Sequence, residues 1–404
     1  MMKKWTIFFL TGCIFLGGCS SQQEEENEED ANELETQEDT SSDQANTIEA
    51  ISKDSFYFDT ICSLTIYGID KETFLESELW EEEQEASSEE ETSIDDPSFE
   101  DAADLVISDA FSLCSDYESI FSRTKKGTDI WNINHAEGER VLCDERTIDM
   151  IQKGLEYGDL SNGKFDITIG PVEDLWGFQS LDEEAALPDE EELEEALFHV
   201  DYQKVGVDEE EGTVWLDDPE AEIDLGGIAK GAIADAVCER LKENGVTSAI
   251  VSLGGNIECV GNKPGEYGFQ DDVSYDENTP FKIGIETPYS DRTEIVGYSE
   301  VSGGTMVTSG VYERYITVDG KEYHHILDPQ TGYSVETDVL GVTIYGEGGT
   351  SADCDALSTI CLMLGSEEGL SLMEEMDGFE AAFILEDGSV VTTTGMNFTA
   401  VDGE

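Results

Sequence analysis

The segment Ala221–Glu243, AEIDLGGIAKGAIADAVCERLKE, carries the strongest structural signal in this 404-residue chain. It begins with apolar residues typical of a short strand, continues through Gly226 and Gly227, and becomes an amphipathic helix. Apolar side chains recur every fourth residue from Ile233, which predicts one buried helix face. Backbone N–H groups that follow the two glycines are free to bind an anion at the positive end of the helix dipole.

Lys230 lies in the first turn of this predicted helix, where the dipole disfavours a cation unless a negative ligand is bound. From this segment alone, two interpretations remain open. One is an anion-binding turn, and the other is a tight strand-to-helix turn with a lysine on the surface. Asn244-Gly245 is a typical end for the helix.

The charge of the chain excludes one class of partner. The 95 acidic and 20 basic residues give a formal net charge of −75, so the phosphate backbone of a nucleic acid would be repelled. The P-loop motif and the hydrolase motifs Gly-x-Ser-x-Gly and His-Glu-x-x-His are absent from the sequence. Nine cysteines include no Cys-x-x-Cys pair, so neither a zinc site nor a regular disulfide framework is predicted. We expect no nucleic-acid partner.

Residues 1–19 are predicted to form a lipoprotein signal peptide. Two lysines precede an apolar run, Trp5–Leu16, that is too short to span a bilayer. The sequence Leu-Gly-Gly-Cys at its end resembles the bacterial lipobox, whose cysteine is lipidated and becomes the mature N-terminus. Cys13 fits the same pattern with a shorter apolar region, and an ordinary cleaved signal peptide is the other alternative. We predict lipidation at Cys19, which would place the protein on the extracytoplasmic face of the bacterial cell membrane.

The chain after the signal divides into a tether and one domain. Residues 20–50 are rich in Glu, Asp, Gln, Asn and Ser, which predicts a disordered acidic tether. Residues 51–404 contain β-rich segments with helices between them, including a strand within Phe56–Gly68 and a helix over Ala102–Phe121. This arrangement predicts an α+β fold with mixed, largely antiparallel sheets and packed helices. A second acidic segment, Glu72–Asp101, is predicted to be an insertion that cannot pack.

A carboxylate and a hydroxyl are predicted to share one face of a later helix. Asp355 and Thr359 are four residues apart, so their side chains project together. Hard oxygen ligands of this kind suit Mg²⁺, which usually takes one or two carboxylates and completes its shell with water and phosphate oxygens. The alternative is that Asp353 or Asp355 caps the start of the helix.

A third candidate segment contains the adjacent histidines His324 and His325, followed by Asp-Pro-Gln-Thr-Gly from Asp328. The pattern Asp-Pro-x-Thr-Gly is typical of a turn. A histidine held by such a turn is the structural alternative to a histidine in an active site.

Taken in chain order, these segments resemble the ApbE family of flavin transferases, which are FAD:protein FMN transferases. The resemblance runs from about Ser55 to the C-terminus and implies a T-fold-like core. Two departures are Phe58-Asp59-Thr60, where Met-Gly-Thr is commoner, and Thr124, where many members carry tyrosine. The matching motifs are Phe58-Asp59-Thr60, Phe121-Ser122 with Ile130 to Asn134, Gly163-Lys164-Phe165-Asp166, Gly170-Pro171, Leu175-Trp176-Gly177-Phe178, Asp224 to Gly231, Leu253-Gly254-Gly255-Asn256, Thr308-Ser309-Gly310, His325 to Gly332, and Asp355 to Thr359.

The resemblance implies that the protein transfers FMN from FAD to a threonine hydroxyl of a partner protein, as a phosphoester, with release of AMP. Mg²⁺ would bind Asp355, Thr359 and the backbone carbonyl of Gly227. Lys230 would neutralise the pyrophosphate, and the threonine proton would pass to Asp328, Asp224 or His325. The residues that would surround FAD are Phe58, Asp59, Thr124, Lys164, Phe165, Asp166, Asp224, Lys230, His325 and Ile326.

The acceptors that the resemblance implies are flavin-bearing subunits of Rnf or Na⁺-translocating NADH:quinone oxidoreductase complexes, or extracellular electron-transfer flavoproteins. Two other functions use the same predicted pocket. One is a Mg²⁺-dependent FAD pyrophosphatase, which would release FMN and AMP with water as the acceptor. The other is a non-catalytic FAD-binding lipoprotein.

Overall fold

The structure is a computed structural model that describes residues 49–89, 96–178, 186–270, 279–290 and 294–401. The predicted signal peptide, the lipidation site Cys19 and the tether up to residue 48 lie outside these residues and stay predictions. The helices are α1 Lys71–Leu75, α2 Glu78–Glu89, α3 Phe99–Phe121, α4 Asp129–Asn134, α5 Glu145–Leu160, α6 Gly170–Trp176, α7 Glu190–Phe198, α8 Ala229–Glu243 and α9 Ser351–Glu375.

Within the described residues the strands form four sheets, which are antiparallel except where β8 pairs with β2. The main sheet has nine strands in the order β1-β2-β6-β7-β11-β14-β15-β16, with β8 parallel to β2; the smaller sheets are β17-β10-β9, β3-β5-β4 and β12-β13. The strands are β1 Ile51–Tyr57, β2 Thr60–Ile69, β3 Val141–Leu142, β4 Val205–Asp208, β5 Thr213–Leu216, β6 Val246–Leu253, β7 Asn256–Val260, β8 Gly268–Phe269, β9 Phe281–Glu286, β10 Ile295–Val301, β11 Gly304–Gly310, β12 Tyr315–Val318, β13 Lys321–His324, β14 Val339–Glu347, β15 Phe379–Leu385, β16 Val390–Thr392 and β17 Phe398–Ala400. These sheets and helices confirm the predicted α+β class.

Helix α8 buries one apolar face, as the opening segment predicts. The side chains of Ile233, Val237 and Leu241 are fully buried, and each such apolar side chain stabilises the fold by about 2 kcal/mol. Helices α3 and α9 and strands β6 and β7 surround α8. The predicted strand before the helix is wrong, because the chain there makes only an isolated parallel bridge between Ile169 and Glu222.

The start of α8 lies directly against the start of α9. A Cβ atom on Gly231 would lie 2.2 Å from the carbonyl oxygen of Ser351, so only glycine allows the two helices to come this close. Helix α9 runs from Ser351 to Glu375 through a break at Gly365, where φ is +78°. Among the described residues, no helix has the length and apolar character needed to cross a membrane.

The β-rich segment Phe56–Gly68 forms parts of two strands rather than one. Strands β1 and β2 form a hairpin in which Tyr57 pairs with Thr60. Phe58 and Asp59 are the two turn residues, and their φ angles of 53° and 56° are typical of a type I′ turn. The sequence pattern did not reveal this turn because aromatic residues rarely adopt positive φ.

The acidic segment Glu72–Asp101 does pack, which contradicts the prediction. Helices α1 and α2 form within it, and Phe74 is fully buried against Trp80, with ring centroids 5.3 Å apart. Phe99 also joins the main core. Three aromatic side chains therefore tie the segment down despite its charge, while residues 90–95 lie outside the described part of the chain.

Candidate active site

A cavity of about 430 Å³ lies between the β1–β2 turn, the start of α8, the side of α9 and the segments on either side of the β12–β13 hairpin. All but one of the predicted binding and catalytic residues line it. Those residues are Phe58, Asp59, Thr124, Lys164, Phe165, Asp166, Asp224, Gly227, Lys230, His325, Ile326, Asp355 and Thr359. The exception is Asp328.

Asp355 connects the starts of the two central helices. Its carboxylate is 2% exposed and accepts a hydrogen bond from the backbone N–H of Gly231, at 3.1 Å. The Nζ atom of Lys230 lies 3.4 Å from Asp355 Oδ1 and donates a hydrogen bond to the carbonyl of Gly226 at 2.9 Å. Thr359 follows one turn later on α9 and faces the same cavity. A carboxylate, a hydroxyl and an ammonium group therefore converge at one place.

The helix-cap alternative for Asp353 and Asp355 does not describe this structure. The first N–H groups of α9, at Ser351 and Ala352, donate to the carboxylate of Asp235 on α8, at 2.8 and 3.0 Å. Asp353 instead accepts from Lys153 and from the hydroxyl of Tyr157. Asp355 therefore does not cap its own helix; its side chain instead points to the start of α8 and to the cavity.

Asp224 is held by an arginine that the sequence reasoning missed. The Nε atom of Arg123 lies 2.8 Å from Asp224 Oδ2 as an ion pair, and Asp224 Oδ1 accepts from the N–H of Gly226 at 2.6 Å. Arg123 also pairs with Asp174 and Glu222. The only signal in the sequence was that this arginine directly follows the Phe121-Ser122 motif. The network fixes Asp224 at the wall of the cavity.

Glu173 shares this wall with Asp224. The negative charge of Asp224, followed by burial, raises the pKa of Glu173 to about 8, although Arg123 opposes the shift. Glu173 is therefore largely protonated at neutral pH and can donate a hydrogen bond to a neighbouring carboxylate.

Glu313 and His325 occupy another side of the cavity. Glu313 is exposed and His325 is half-buried, and both line the cavity. Desolvation by the surrounding protein atoms raises the pKa of Glu313 to about 7, although the residue is exposed at the cavity; Lys230 lowers this pKa and Asp355 raises it. Burial lowers the pKa of His325 to about 4, so the imidazole is neutral at pH 7. Its Nδ1 lies 3.2 Å from the carbonyl of Arg314, which assigns the proton to Nδ1.

The carboxylates of Asp166 and Asp328 accept hydrogen bonds from nearby residues. Asp166 is buried, which raises its pKa, and it accepts from the N–H and hydroxyl of Thr168 and the N–H of Tyr202. Asp328 accepts from the N–H of Gln330 at 2.7 Å within the Asp-Pro-Gln-Thr-Gly turn. The structure does not bring Asp328 to the cavity, so its suggested role as proton acceptor has no geometric support.

Cations are concentrated in the cavity of this very acidic chain. Arg123, Lys125, Lys164, Lys230 and Arg314 line it, which is five of the 20 basic residues in the sequence. The sequence has 95 acidic residues, and most of them lie outside the cavity lining. Seven acidic residues line the cavity as well, so its lining is much closer to charge balance than the chain as a whole, which favours this place for a ligand that carries negative charge.

The fold and the site define an α+β protein with a cation-lined cavity suited to a phosphate-bearing ligand. The chain belongs to the ApbE family, whose sequence profile matches residues 58–383. It is 33% identical to a FAD:protein FMN transferase of Treponema pallidum (strain Nichols) over 298 residues, 72% of this chain and 80% of that protein. A FAD:protein FMN transferase of Klebsiella pneumoniae (strain 342) is 30% identical over 294 residues, 72% of this chain and 85% of that protein.

The fold is also similar to solved ApbE structures. The ApbE protein of Thermotoga maritima MSB8 superposes with a TM-score of 0.69 and 27% identity, covering 86% of this chain and 97% of that chain. A flavin transferase ApbE from Vibrio cholerae superposes with a TM-score of 0.66 over 86% of this chain and 97% of that chain. These similarities confirm the family resemblance and the fold class.

Proposed function

We propose that this protein is an enzyme that transfers the FMN moiety of FAD to a threonine hydroxyl of a partner protein, with release of AMP. The relatives named as FAD:protein FMN transferases support this activity. The observation that carries the proposal is the contact of Lys230 with Asp355 in a cavity lined by four further cations. This arrangement suits the pyrophosphate of FAD, which is the bond that the reaction must break.

The cations act by neutralising the phosphates. An attacking oxygen is repelled by the charge on a pyrophosphate, and preorganised positive groups lower that barrier. Lys230 lies in the first turn of α8, where the positive end of the helix dipole adds to the same field. A bound pyrophosphate would also account for a lysine in the first turn of α8, where the helix dipole otherwise disfavours a cation.

The donor set also fits Mg²⁺, which we propose as the metal. Asp355 supplies a hard carboxylate oxygen, Thr359 a hydroxyl, and Gly227 a backbone carbonyl at the same cavity. Within the described residues, no group of three or more His, Cys, Asp and Glu side chains could hold a metal. A site with a single carboxylate leaves room for phosphate oxygens and water in the shell. When bound, the metal would neutralise charge on the pyrophosphate.

The proton of the threonine needs an acceptor, and we propose Glu313. The threonine oxygen forms a bond to the phosphorus of the FMN phosphate, the bond from that phosphorus to the oxygen bridging to AMP breaks, and the threonine proton passes to the Glu313 carboxylate. The pKa of Glu313, about 7, suits a general base at neutral pH. Asp224 is engaged by Arg123, and a pKa of about 4 makes His325 a weak base.

The proposal is tested by incubating the purified protein with FAD, Mg²⁺ and a flavin-accepting Rnf-type subunit. Fluorescent flavin that stays on the subunit through a denaturing gel supports transfer. Free FMN and AMP without labelled subunit would indicate the pyrophosphatase instead. FAD that binds but is not consumed would indicate the non-catalytic binding protein.

We also propose that Cys19 is lipidated and anchors the domain to the extracytoplasmic face of the cell membrane, where its acceptors would be flavin-bearing subunits of Rnf or Na⁺-translocating NADH:quinone oxidoreductase complexes or extracellular electron-transfer flavoproteins. The lipobox-like sequence supports this location. The variant Cys19→Ser should move the protein from the membrane fraction to the soluble extracytoplasmic fraction. Membrane recovery equal to that of the wild type would contradict the anchor.

A further inference from the structure

Three tyrosines form a cluster next to the cavity, and the proposed chemistry does not use them. The ring of Tyr289 lies 5.9 Å from that of Tyr312 and 5.9 Å from that of Tyr315. We call Tyr289, Tyr312 and Tyr315 the tyrosine cluster. Tyr289 is 49% exposed and Tyr315 is 42% exposed. Exposed aromatic surface of this kind is costly in solution, and it is frequent where proteins bind one another.

The cluster is held in place at some energetic cost. Tyr289 has a φ of 60°, a conformation in which a bulky side chain is strained. Its hydroxyl donates a hydrogen bond to Glu322 on β13, at 3.0 Å. The hydrogen bond and the ring contacts hold the side chain at the surface, although its backbone would be less strained with glycine. The exposed ring is therefore fixed in place and presented to solvent.

The cluster is continuous with the wall of the cavity. Tyr312 and Tyr315 flank Glu313 and Arg314, which both line the cavity. The N–H of His325 donates to the carbonyl of Arg314 at 3.0 Å, so the same backbone positions His325. The tyrosine cluster therefore adjoins the part of the cavity wall that carries Glu313.

We propose that the tyrosine cluster is the docking surface for the flavin-accepting protein, which it would contact through apolar groups beside the modified threonine. This inference rests on the proposed function. The chain carries a net charge of −75, so charge alone cannot attract acidic partners, and aromatic contacts supply attraction that does not depend on charge. Docking at this surface would direct the threonine to the cavity.

The test compares the wild type with Tyr289→Gly, Tyr315→Ala and the double variant. Glycine relaxes the positive φ of residue 289 while it removes the ring. Initial rates are measured at saturating FAD with increasing concentrations of a purified flavin-accepting Rnf-type subunit, and then at a saturating subunit concentration with increasing FAD. In the double variant we expect the KM for the subunit to rise about tenfold or more, with kcat and the KM for FAD unchanged.

Phe198→Ala is the matched control. Phe198 is 74% exposed, contacts His199 and Lys204, and does not line the cavity, so its loss should leave every constant unchanged. An unchanged KM for the subunit in the double variant would overturn the docking surface. The docking surface would also be overturned if the wild type forms a concentration-dependent dimer that the double variant loses, while the KM for the subunit stays the same. If the wild type binds FAD but labels no subunit, the proposed function itself fails, which is a different result.

Discussion

Two carboxylate clusters lie on the α8–α9 contact and have opposite surroundings. Asp355 of α9 accepts an N–H from the start of α8, while Asp235 of α8 accepts two from the start of α9. Asp355 has Lys230 beside it and faces the cavity. Asp235 is half-buried and instead lies beside a second acid, the fully buried Glu258. The two helices therefore exchange carboxylate caps, but only one cap is open to a ligand.

The difference shows how a functional carboxylate is recognised in a chain with 95 acids. Burial, followed by the charge of Asp235, raises the pKa of Glu258 to about 7, although Lys242 opposes the shift. The cluster of Asp235 and Glu258 holds a proton, and Asp235 stabilises the start of α9. The cluster at Asp355 has an ammonium group, a hydroxyl and a cavity, and we propose that a phosphate-bearing ligand binds there. The partner of a carboxylate, more than its presence, indicates its role.

The largest expected effect is at Asp355. The variant Asp355→Asn removes the charge that we propose for the metal, and we expect transfer of flavin to the Rnf-type subunit to fall at least about a thousandfold. Gel fluorescence of the subunit measures it. The matched control is Asp353→Asn, two residues away on the same helix, whose partners are Lys153 and Tyr157. Equal losses in the two variants would mean that damage to α9, and not the site, causes the effect.

The second-largest effect is expected at Lys230. With Lys230→Gln the pyrophosphate loses a neutralising charge, and we expect kcat/KM for FAD to fall on the order of a hundred- to a thousandfold. The control variant Lys242→Gln removes the cation near the buried cluster and should leave kcat/KM unchanged. A similar loss in both variants would contradict the distinction between the two clusters. Initial rates of AMP release in the presence of the acceptor measure both.

Much of the cavity could be predicted because its motifs are local in sequence. The spacing of Asp355 and Thr359 on one helix and the glycines before α8 required only helical periodicity and turn chemistry. The family resemblance supplied the remaining contacts, and the structure brings all of these residues to one cavity except Asp328. Asp328 lies in a motif of the family, but that motif forms a turn in which the aspartate accepts a hydrogen bond from the backbone N–H of Gln330.

The missed features depend on distant parts of the chain. Arg123 is important because three acids from later segments surround it, and no spacing in the sequence links them. The pKa of Glu313 depends on desolvation and on Lys230 and Asp355. The acidic segment was wrongly predicted not to pack, because charge dominated its composition while its few aromatic residues determined its structure. Tertiary packing decides such cases, and local pattern does not contain it.

Glu313 provides a test that depends on pH. If its carboxylate accepts the proton, transfer in the wild type should decline as pH falls below about 7, because the protonated form cannot act as a base. The variant Glu313→Gln should lose on the order of a hundredfold in kcat and show no such decline, while FAD binding measured by fluorescence remains. A variant that keeps the wild-type pH profile would exclude Glu313 as the proton acceptor. Glu336→Gln, at an exposed position, serves as the control.

The smallest expected effect is on stability, at the buried cluster. The pKa of Glu258 is about 7 in the folded protein and near 4.5 in the unfolded chain, so between these pH values only the folded state holds the proton. Stability therefore falls as pH rises from about 4.5 to 7 and stays lower above 7. Glu258→Gln keeps an oxygen for the N–H of Gly349 and removes the ionisation.

Above pH 7 the Glu258→Gln variant should therefore be more stable than the wild type by about 1 kcal/mol or more, with a flatter dependence of Tm on pH. Thermal unfolding followed by circular dichroism at pH 5 and pH 8.5 measures this difference. Transfer of flavin should be unchanged, because the cluster does not face the cavity. A loss of transfer without a loss of stability would mean that the two clusters act together, and the contrast between a ligand site and a helix cap would then fail.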